Sequence, residues 1–328
     1  MAGIDVKAIR SLALAVALVV SSGAAAQHAD SFCPEQVIRI VAPFQAGGPT
    51  DLISRVLGER LREKFGHQVV VEARPGASGA TGTGYLAQQP GNGCNMLVSW
   101  DTHGVNPSLL SLSFDTATAF KAVILVGTLP NVIAVHSSQP WKTLDELMKA
   151  AAKEKGSVAY ATGGAGTVAH LTMKMIEQVY GVELRHVPYK GGAPAAQDVI
   201  GGHVPSGFGS VMSLGPSISG GKIRGLVQTG ATRHPMIPDV PTMAELGHAN
   251  FTITAWSGVF VPASTPDAAV ARLNVALSEA LKEPVVRERM ATFGVQIAGS
   301  TPQEADAFVK AEIARWGDVI RRYKIKPE

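Results

Sequence analysis

Residues 37–64 read VIRIVAPFQAGGPTDLISRVLGERLREK, an apolar run followed directly by a Gly-rich loop and an amphipathic segment. The run at 37–41 is short, apolar and soon followed by Pro, which is typical of a buried strand. Pro49 occupies a favoured first helical position, and apolar residues recur after it at helical spacing, so a helix is predicted over 49–64. This order of strand, loop and helix is the repeating unit of an α/β protein.

Short apolar runs and helix-start motifs continue this alternation along the chain. Capping residues predict helices that begin after Thr143, Thr265 and Thr301, the first of them ending near Gly156. Predicted strands lie at 37–41, 69–71, 96–100, 123–126, 132–135, 158–161, 184–188 and 224–229. The predicted fold class is therefore α/β, with mostly parallel sheets, helices on both faces and ligands bound beyond the carboxyl ends of strands.

The composition excludes several classes of protein. Of 328 residues, 46% are hydrophobic and 17% are charged, and the formal net charge is only +3. Such a chain folds, and its longest basic run, at 321–324, is too short and too poor in aromatic residues to indicate nucleic-acid binding. The histidines lack metal-ligand spacing, and the fingerprint-like segment 82–87 is separated from the preceding strand, so neither a metal nor a nucleotide cofactor is expected.

The first 26 residues are predicted to be a cleaved signal peptide. Lys7 and Arg10 precede the apolar run 11–20, and small residues at 24–26 suit a signal peptidase. A retained membrane anchor is the alternative, although the uncharged stretch 11–27 is short for a span of ~20 residues. Export would place the mature chain in an oxidising compartment.

The two cysteines of the chain are predicted to form a disulfide. Cys33 precedes the first predicted strand and Cys94 precedes the third. If these strands are parallel neighbours, as in the common 2-1-3 order, both thiols lie at the same edge of the sheet. Oxidising compartments allow such a bond to persist.

Two Gly-rich loops, at 43–51 and 161–170, run from a predicted strand directly into a helix. Glycines let the backbone approach a ligand, and a helix start offers amide groups and a favourable dipole to an anion. Neither loop contains Lys or Arg, so an anion there would be bound by N–H groups and by the hydroxyls of Thr50, Thr162 and Thr167. The loops therefore predict an anion-binding site.

Several polar and aromatic side chains have two interpretations. Asp51 either favours the helix dipole, or orders its loop or receives a ligand ammonium group. His170 either packs against its loop or contacts the ligand. Tyr189 and Lys190 follow another strand, and Lys190 is either solvent-exposed or close to the ligand. Trp256 is a core aromatic, a hinge or part of the site.

Six stretches distributed over the mature chain form a family pattern. They read APFQAGGPTD at 42–51, EARPGASG at 72–79, YATGGAGTVAHL at 160–171, HVPYKG at 186–191, PDVPT at 238–242 with Glu245 and Gly247, and WSG at 256–258 with PASTP at 262–266. In this order they resemble the extracytoplasmic solute-binding receptors of tripartite tricarboxylate transporters, the Bug proteins.

The chain departs from that family pattern in one segment and varies in another. Residues 90–95 read PGNGCN where the family commonly has Pro-Asp-Gly-Tyr-Thr, which we interpret as a structural change at a strand start. In the loop at 99–106, Trp100, Asp101 and His103 are expected to tune selectivity. Ligand identity therefore cannot be carried over from relatives.

The resemblance implies a two-lobed clamshell of the periplasmic-binding-protein type. Lobe 1 is expected to hold 32–128 plus 255–328, and lobe 2 to hold 129–254. The implied function is a monomeric, non-enzymatic periplasmic receptor that delivers a small carboxylate to a membrane permease or reports it to a sensor kinase. The alternative is a secreted α/β enzyme that uses Asp51 or His170 as acid or base. The candidate ligand-binding residues are Phe44, Ala46, Gly47, Gly48, Thr50, Asp51, Thr102, His103, Thr162, Gly163, Gly164, Gly166, Thr167, His170 and Tyr189.

Overall fold

In a computed structural model, which describes residues 32–326, strands and helices alternate along the chain. The predicted signal peptide at 1–26 lies outside the described residues. The strands are β1 (Val37–Ala42), β2 (Gln68–Ala73), β3 (Asn95–Trp100), β4 (Phe120–His136), β5 (Ala159–Thr162), β6 (Arg185–Pro188), β7 (Ser206–Ser210), β8 (Ile223–Gln228), β9 (Thr254–Pro262) and β10 (Gln296–Ile297). The α-helices are α1 (Pro49–Phe65), α2 (Ala80–Ala87), α3 (Thr102–Leu109), α4 (Leu144–Ala151), α5 (Val168–Tyr180), α6 (Gly192–Ile200), α7 (Val211–Ser219), α8 (Asp267–Lys282), α9 (Pro284–Thr292) and α10 (Pro302–Tyr323).

Helix α1 confirms the prediction made from its sequence. It begins at Pro49 and buries Ile53, Leu57 and Leu61. It ends at Phe65, and the following Gly66 adopts φ 68° and donates its N–H to the Arg62 carbonyl in the last turn. Local signals at both ends, a Pro and a left-handed Gly, account for these bounds.

Helix α4 begins where the sequence predicts but ends earlier. The Thr143 side chain accepts a hydrogen bond from the Glu146 N–H, which caps the helix start. The helix ends at Ala151 rather than near Gly156, so the predicted end was wrong. Residues 153–155 are Lys, Glu and Lys and are exposed, so another helical turn would bury no apolar side chain.

Strand β4 joins the two halves of the sheet. Its residues 120–130 pair with β9, and its residues 131–135 pair with β7. The sequence predicts two strands here, at 123–126 and 132–135, and the structure corrects this to one strand of 17 residues. Pro130 forms the last pair with β9, opposite Thr254, and pairing with β7 begins at the next residue, so Pro130 lies at the end of a ladder, where a missing N–H disturbs the sheet least.

The sheet is mixed, with the order β2-β1-β3-β9-β4-β7-β5-β6. Parallel pairs occur between β1 and each of β2 and β3, and between β5 and each of β6 and β7. Strands β4 and β9 carry the chain between the halves and run antiparallel to their neighbours. The α/β fold is thus as predicted, although its two central strands are not parallel.

Strand β7 has no strand-like sequence, since Ser206–Ser210 reads SGFGS. Gly and Ser are poor strand formers, so this strand cannot be predicted from its sequence. A Cβ on Gly207 would lie 2.8 Å from Val199 Cγ2 of helix α6. Close packing of α6 on the sheet therefore requires a small residue at this position.

Cys33 and Cys94 are joined with an S–S distance of 2.10 Å across 61 residues of sequence. They lie immediately before β1 and β3, which are parallel neighbours in the order β2-β1-β3. The family-atypical segment turns through Gly93 at φ +83°, where a Cβ would lie 2.0 Å from the Phe32 carbonyl oxygen. Only Gly fits there.

Candidate ligand-binding site

A cavity lies beyond the carboxyl ends of β1, β3, β5 and β7, as the sheet predicts. The space open to the centres of water molecules measures about 50 Å³, which corresponds to a few waters at roughly 10–15 Å³ each. A small solute therefore fits this conformation. The lining residues are Phe44, Pro49, Thr50, Trp100, Asp101, Asn131, Gly163, Thr167, Ala169, Gly192, Gly209, Ser210 and Ser213.

The N-terminal ends of several helices converge on this cavity. Pro49 and Thr50 begin α1, Ala169 lies in the first turn of α5, Gly192 begins α6 and Ser213 lies in the first turn of α7. The first N–H groups of a helix have no partner within it, and the helix dipole is positive at this end. Among the described residues that line the cavity, none is Lys, Arg or His. The site therefore offers positive potential to an anion from backbone dipoles alone.

Three buried side chains in the cavity wall carry a polar atom with no partner among residues 32–326. These atoms are Thr50 Oγ1, Asp101 Oδ1 and Asn131 Nδ2, and the three residues are 1%, 2% and 2% exposed. A buried polar group without a hydrogen bond costs about 1–3 kcal/mol. A solute that supplies the missing partners recovers this free energy when it binds.

Asp51 orders the first Gly-rich loop from within. Its Oδ2 accepts hydrogen bonds from the Gly47 N–H at 3.0 Å and from Arg55 Nε at 2.9 Å, and Oδ1 accepts from the other arm of Arg55 at 3.0 Å. Burial raises the pKa of Asp51, but the Arg55 and Gly47 hydrogen bonds outweigh it, so this pKa lies below its usual value. The Gly48 N–H donates to the Gln45 carbonyl. Both loop amides are therefore used inside the loop.

The hydroxyls of the second Gly-rich loop are also used internally. Thr162 Oγ1 lies 2.7 Å from His186 Nε2 and donates to the Gly164 carbonyl, and Thr167 Oγ1 caps α5 by accepting from the His170 N–H. The His170 ring stacks on His186 at 4.0 Å between centroids, and its Nδ1 accepts from the Gly166 N–H. These side chains hold the loop in shape beneath the cavity.

Comparison with known proteins assigns a family to this architecture. The pattern of the tripartite tricarboxylate transporter family receptor matches residues 53–325. The chain belongs to this family. The solved structure of the periplasmic binding protein BugD superposes with a TM-score of 0.84 at 31% identity, covering 88% of this chain and 98% of BugD.

Two solved relatives of this receptor contain dicarboxylates. An R. palustris protein with adipate has a TM-score of 0.84 at 31% identity, covering 89% of this chain and 98% of its own. MatC from Rhodopseudomonas palustris, with bound malate, has a TM-score of 0.82 at 29% identity, covering 87% and 98%. The two-lobed fold and the non-enzymatic class predicted from the sequence are confirmed, because these relatives are binding proteins.

The structure brings four of the predicted site residues of this receptor to the cavity wall, namely Phe44, Thr50, Gly163 and Thr167. Others shape the two loops without lining the cavity: Ala46, Gly47, Gly48, Asp51, Thr162, Gly164, Gly166 and His170. Tyr189 donates its hydroxyl to Asp198, and Lys190 is exposed. Trp256 is a core aromatic whose Nε1 donates to Glu312 Oε2 at 3.2 Å.

Several wall residues were not predicted as ligand contacts. Trp100 and Asp101 had been assigned only a role in selectivity, and they line the cavity directly. Asn131, Ser210 and Ser213 were not predicted, because Asn131 lies between the two strands expected within β4, and β7 and the start of α7 were not expected at all. Among the described residues, no group of three or more His, Cys, Asp or Glu is placed to hold a metal ion, and no helix is long and apolar enough to cross a bilayer.

The structure places His103 outside this cavity, although the sequence analysis proposed it as a ligand contact. Its ring stacks on Phe260 at 4.3 Å between centroids and is 3% exposed. Neither ring nitrogen has a hydrogen-bond partner in the described part of the chain. Burial lowers the pKa of His103 to about 3. Thr102 is likewise buried on α3 without lining the cavity.

The buried His103 is expected to make the receptor sensitive to acid. Because its pKa is about 3 in the folded state and the ordinary value for histidine is 6.5, the unfolded chain binds the proton first, and stability falls below pH 6.5 by about 1.4 kcal/mol per pH unit. Between pH 7 and pH 5, the unfolding free energy of the wild type should fall by about 2 kcal/mol more than that of His103→Phe. Urea unfolding at both pH values measures this difference.

The exposed His203 provides the control for this comparison. His203→Gln should lose stability between pH 7 and pH 5 as the wild type does, because this exposed substitution leaves the buried His103 and its surroundings unchanged. Parallel pH dependence of the wild type and His103→Phe would show that His103 is solvated or paired in the folded protein.

Proposed function

We propose that this receptor binds a small carboxylate in the cavity beyond β1, β3, β5 and β7. The convergence of helix N-termini on a buried cavity without a basic side chain carries the proposal. Backbone N–H groups and the unpartnered Thr50 hydroxyl and Asn131 amide are the donors that a carboxylate requires. Adipate and malate in two relatives support the same ligand class.

The lobes proposed for this receptor are 32–128 plus 255–328 and 129–254. The change of partner strands at Pro130, and the start of β9 at Thr254, support these boundaries. A solute that contacts Thr50 in the first lobe and Thr167 or Ala169 in the second has more affinity for the closed form. That difference is the physical requirement for ligand-driven closure.

Contacts that join the two lobes support a closed conformation. The Ser78 hydroxyl donates to the Ala165 carbonyl of the second loop. A Cβ on Gly191 would lie 3.7 Å from Phe44 Cβ, and one on Gly166 would lie 2.4 Å from Leu109 Cδ2. The space left between these contacts has room for few waters, and a lower local dielectric strengthens the interaction of N–H dipoles with a bound charge.

The family assignment also supports a cellular role. We propose that the mature receptor is periplasmic, acts as a monomer, contains the Cys33–Cys94 disulfide and presents its solute to the membrane permease of a tripartite tricarboxylate transporter or to a sensor kinase. The signal-peptide pattern at 1–26 and the family assignment support export.

Small carboxylates are expected to stabilise the purified receptor. At 100 times its Kd, a solute that binds only the folded state adds about 2.7 kcal/mol to the free energy of unfolding. A thermal-unfolding screen of mono-, di- and tricarboxylates measures this, with the matching amides and alcohols as controls. Affinity should change little between low and physiological salt, because the donors are buried and neutral. Stabilisation by the uncharged controls and by none of the acids would overturn the proposed function.

A further inference from the structure

Among the described residues that line the cavity, Asp101 carries the one acidic side chain. The other polar side chains of the lining are hydroxyls and one amide, which can donate hydrogen bonds. Asp101 is 2% exposed, lines the cavity and immediately precedes α3. A carboxylate in this position commonly caps the helix, yet this side chain makes no capping hydrogen bond. Its Oδ1 has no partner within residues 32–326. The oxygen is therefore available to a bound solute.

No cation of the described chain compensates Asp101. Burial raises the pKa of Asp101 well above its usual range, the Glu312 carboxylate raises it further, and the Thr102 amide opposes both. Glu312 on α10 is itself engaged by the Nε1 atoms of Trp256 and Trp316 and by Arg315 at 3.2 Å. The Arg315 guanidinium is therefore committed to Glu312.

Aromatic side chains lie in the same wall as this carboxyl group. Phe44 and Trp100 both line the cavity and are 8% and 9% exposed. An aromatic face attracts a desolvated ammonium group through its quadrupole, and a carboxylate attracts it through its charge. The combination is suited to a cation of the size of a primary ammonium group.

We propose, resting on the proposed function, that the solute is a short amino acid whose carboxylate lies against the helix N-termini and whose ammonium group binds Asp101. Two anionic groups without a cation in a cavity of about 50 Å³ would be strongly disfavoured. An ammonium group on the solute removes that conflict and supplies the partner that Asp101 Oδ1 lacks. The other nearby acid, Asp51, already has its partners in Arg55 and Gly47.

Alanine, lactate and propionate form a matched series that tests this assignment, since they differ only in the ammonium, hydroxyl or hydrogen on one carbon. β-Alanine, which moves the ammonium group by one carbon, extends the series. In calorimetric titrations at pH 7, alanine or β-alanine should bind at least tenfold more tightly than propionate. When Asp101 is protonated in the free receptor, it must release its proton to bind the ammonium group. Affinity for the amino acid should therefore rise with pH until Asp101 is ionised in the free receptor.

Asp101→Asn should lower affinity for the amino acid at least tenfold and leave affinity for propionate within about threefold. Asp101→Ser provides a second variant without the charge, and circular dichroism verifies that both fold. Equal binding of all solutes, unchanged in both variants, would overturn the role of Asp101 and leave the proposed function intact. In another outcome, the affinity of the wild type for propionate falls about tenfold for each unit of rising pH, and the affinity of Asp101→Asn does not. That result would show that a protonated Asp101 donates a hydrogen bond to the carboxylate, and it would also overturn the proposal. Stabilisation by none of these solutes and by no other carboxylate would overturn both proposals.

Discussion

The double variant Cys33→Ser/Cys94→Ser is expected to lose about 4 kcal/mol of unfolding free energy relative to the oxidised wild type. The bond spans 61 residues, and in the chain-entropy model a loop of this length restricts the unfolded ensemble by about that amount. Both cysteines are fully buried beside β1 and β3, so the loss also includes packing around two smaller and more polar side chains. Guanidinium unfolding with the linear extrapolation measures the difference.

Reduction separates the bond from the substitution. Wild type treated with a thiol reductant during unfolding should approach the stability of the double variant, whereas the double variant itself should not respond to reductant. Alkylation of denatured, oxidatively purified wild type should modify neither cysteine. Two alkylated cysteines in that protein would contradict the disulfide.

Thr50→Val and Asn131→Leu are expected to weaken solute binding by about 1–3 kcal/mol each, or roughly 5- to 150-fold. Each change keeps the approximate shape of a cavity wall residue and removes a donor that has no partner in the described chain. Stability without solute should hold or rise, because each change removes an unpaired buried polar group. Titration with whichever carboxylate stabilises the wild type most, together with thermal unfolding of the free proteins, measures both effects.

Thr172→Val is the matched control for Thr50→Val. Thr172 is 0% exposed, and its hydroxyl also has no partner in the described chain, but it does not line the cavity. Its variant should bind the solute as the wild type does. Thr167→Val should instead lower the unfolding free energy by about 1 kcal/mol, since that hydroxyl caps α5. Affinity unchanged in Thr50→Val and Asn131→Leu would remove this cavity from the binding site.

The elements that were predicted well have their signals close together in sequence. Helix α1 was expected at 49–64 and extends over Pro49–Phe65, because Pro49, the apolar spacing and Gly66 act within a few residues of one another. The neighbouring positions of Cys33 and Cys94 followed from the 2-1-3 strand order expected of an α/β sheet. The two Gly-rich loops likewise lead into helix starts beside one cavity, as their position after strands indicated.

The composition of the site itself depended on partners that are distant along the chain. Thr50, Thr162 and Thr167 are equivalent donors in the sequence, yet Thr162 pairs with His186, Thr167 caps its own helix, and only the Thr50 hydroxyl is left without a partner in the described chain. Asp51 and Asp101 also differ through their neighbours. Arg55 pairs with the Asp51 carboxylate, whereas burial and the nearby Glu312 carboxylate both raise the pKa of Asp101. Strand β7 and the single long β4 exist because sheet pairing and burial outweigh local preference. A polar group forms a hydrogen bond with any suitable partner within about 3 Å, whatever the distance between the two residues in sequence. The tertiary structure therefore decides which polar groups remain free to bind a solute.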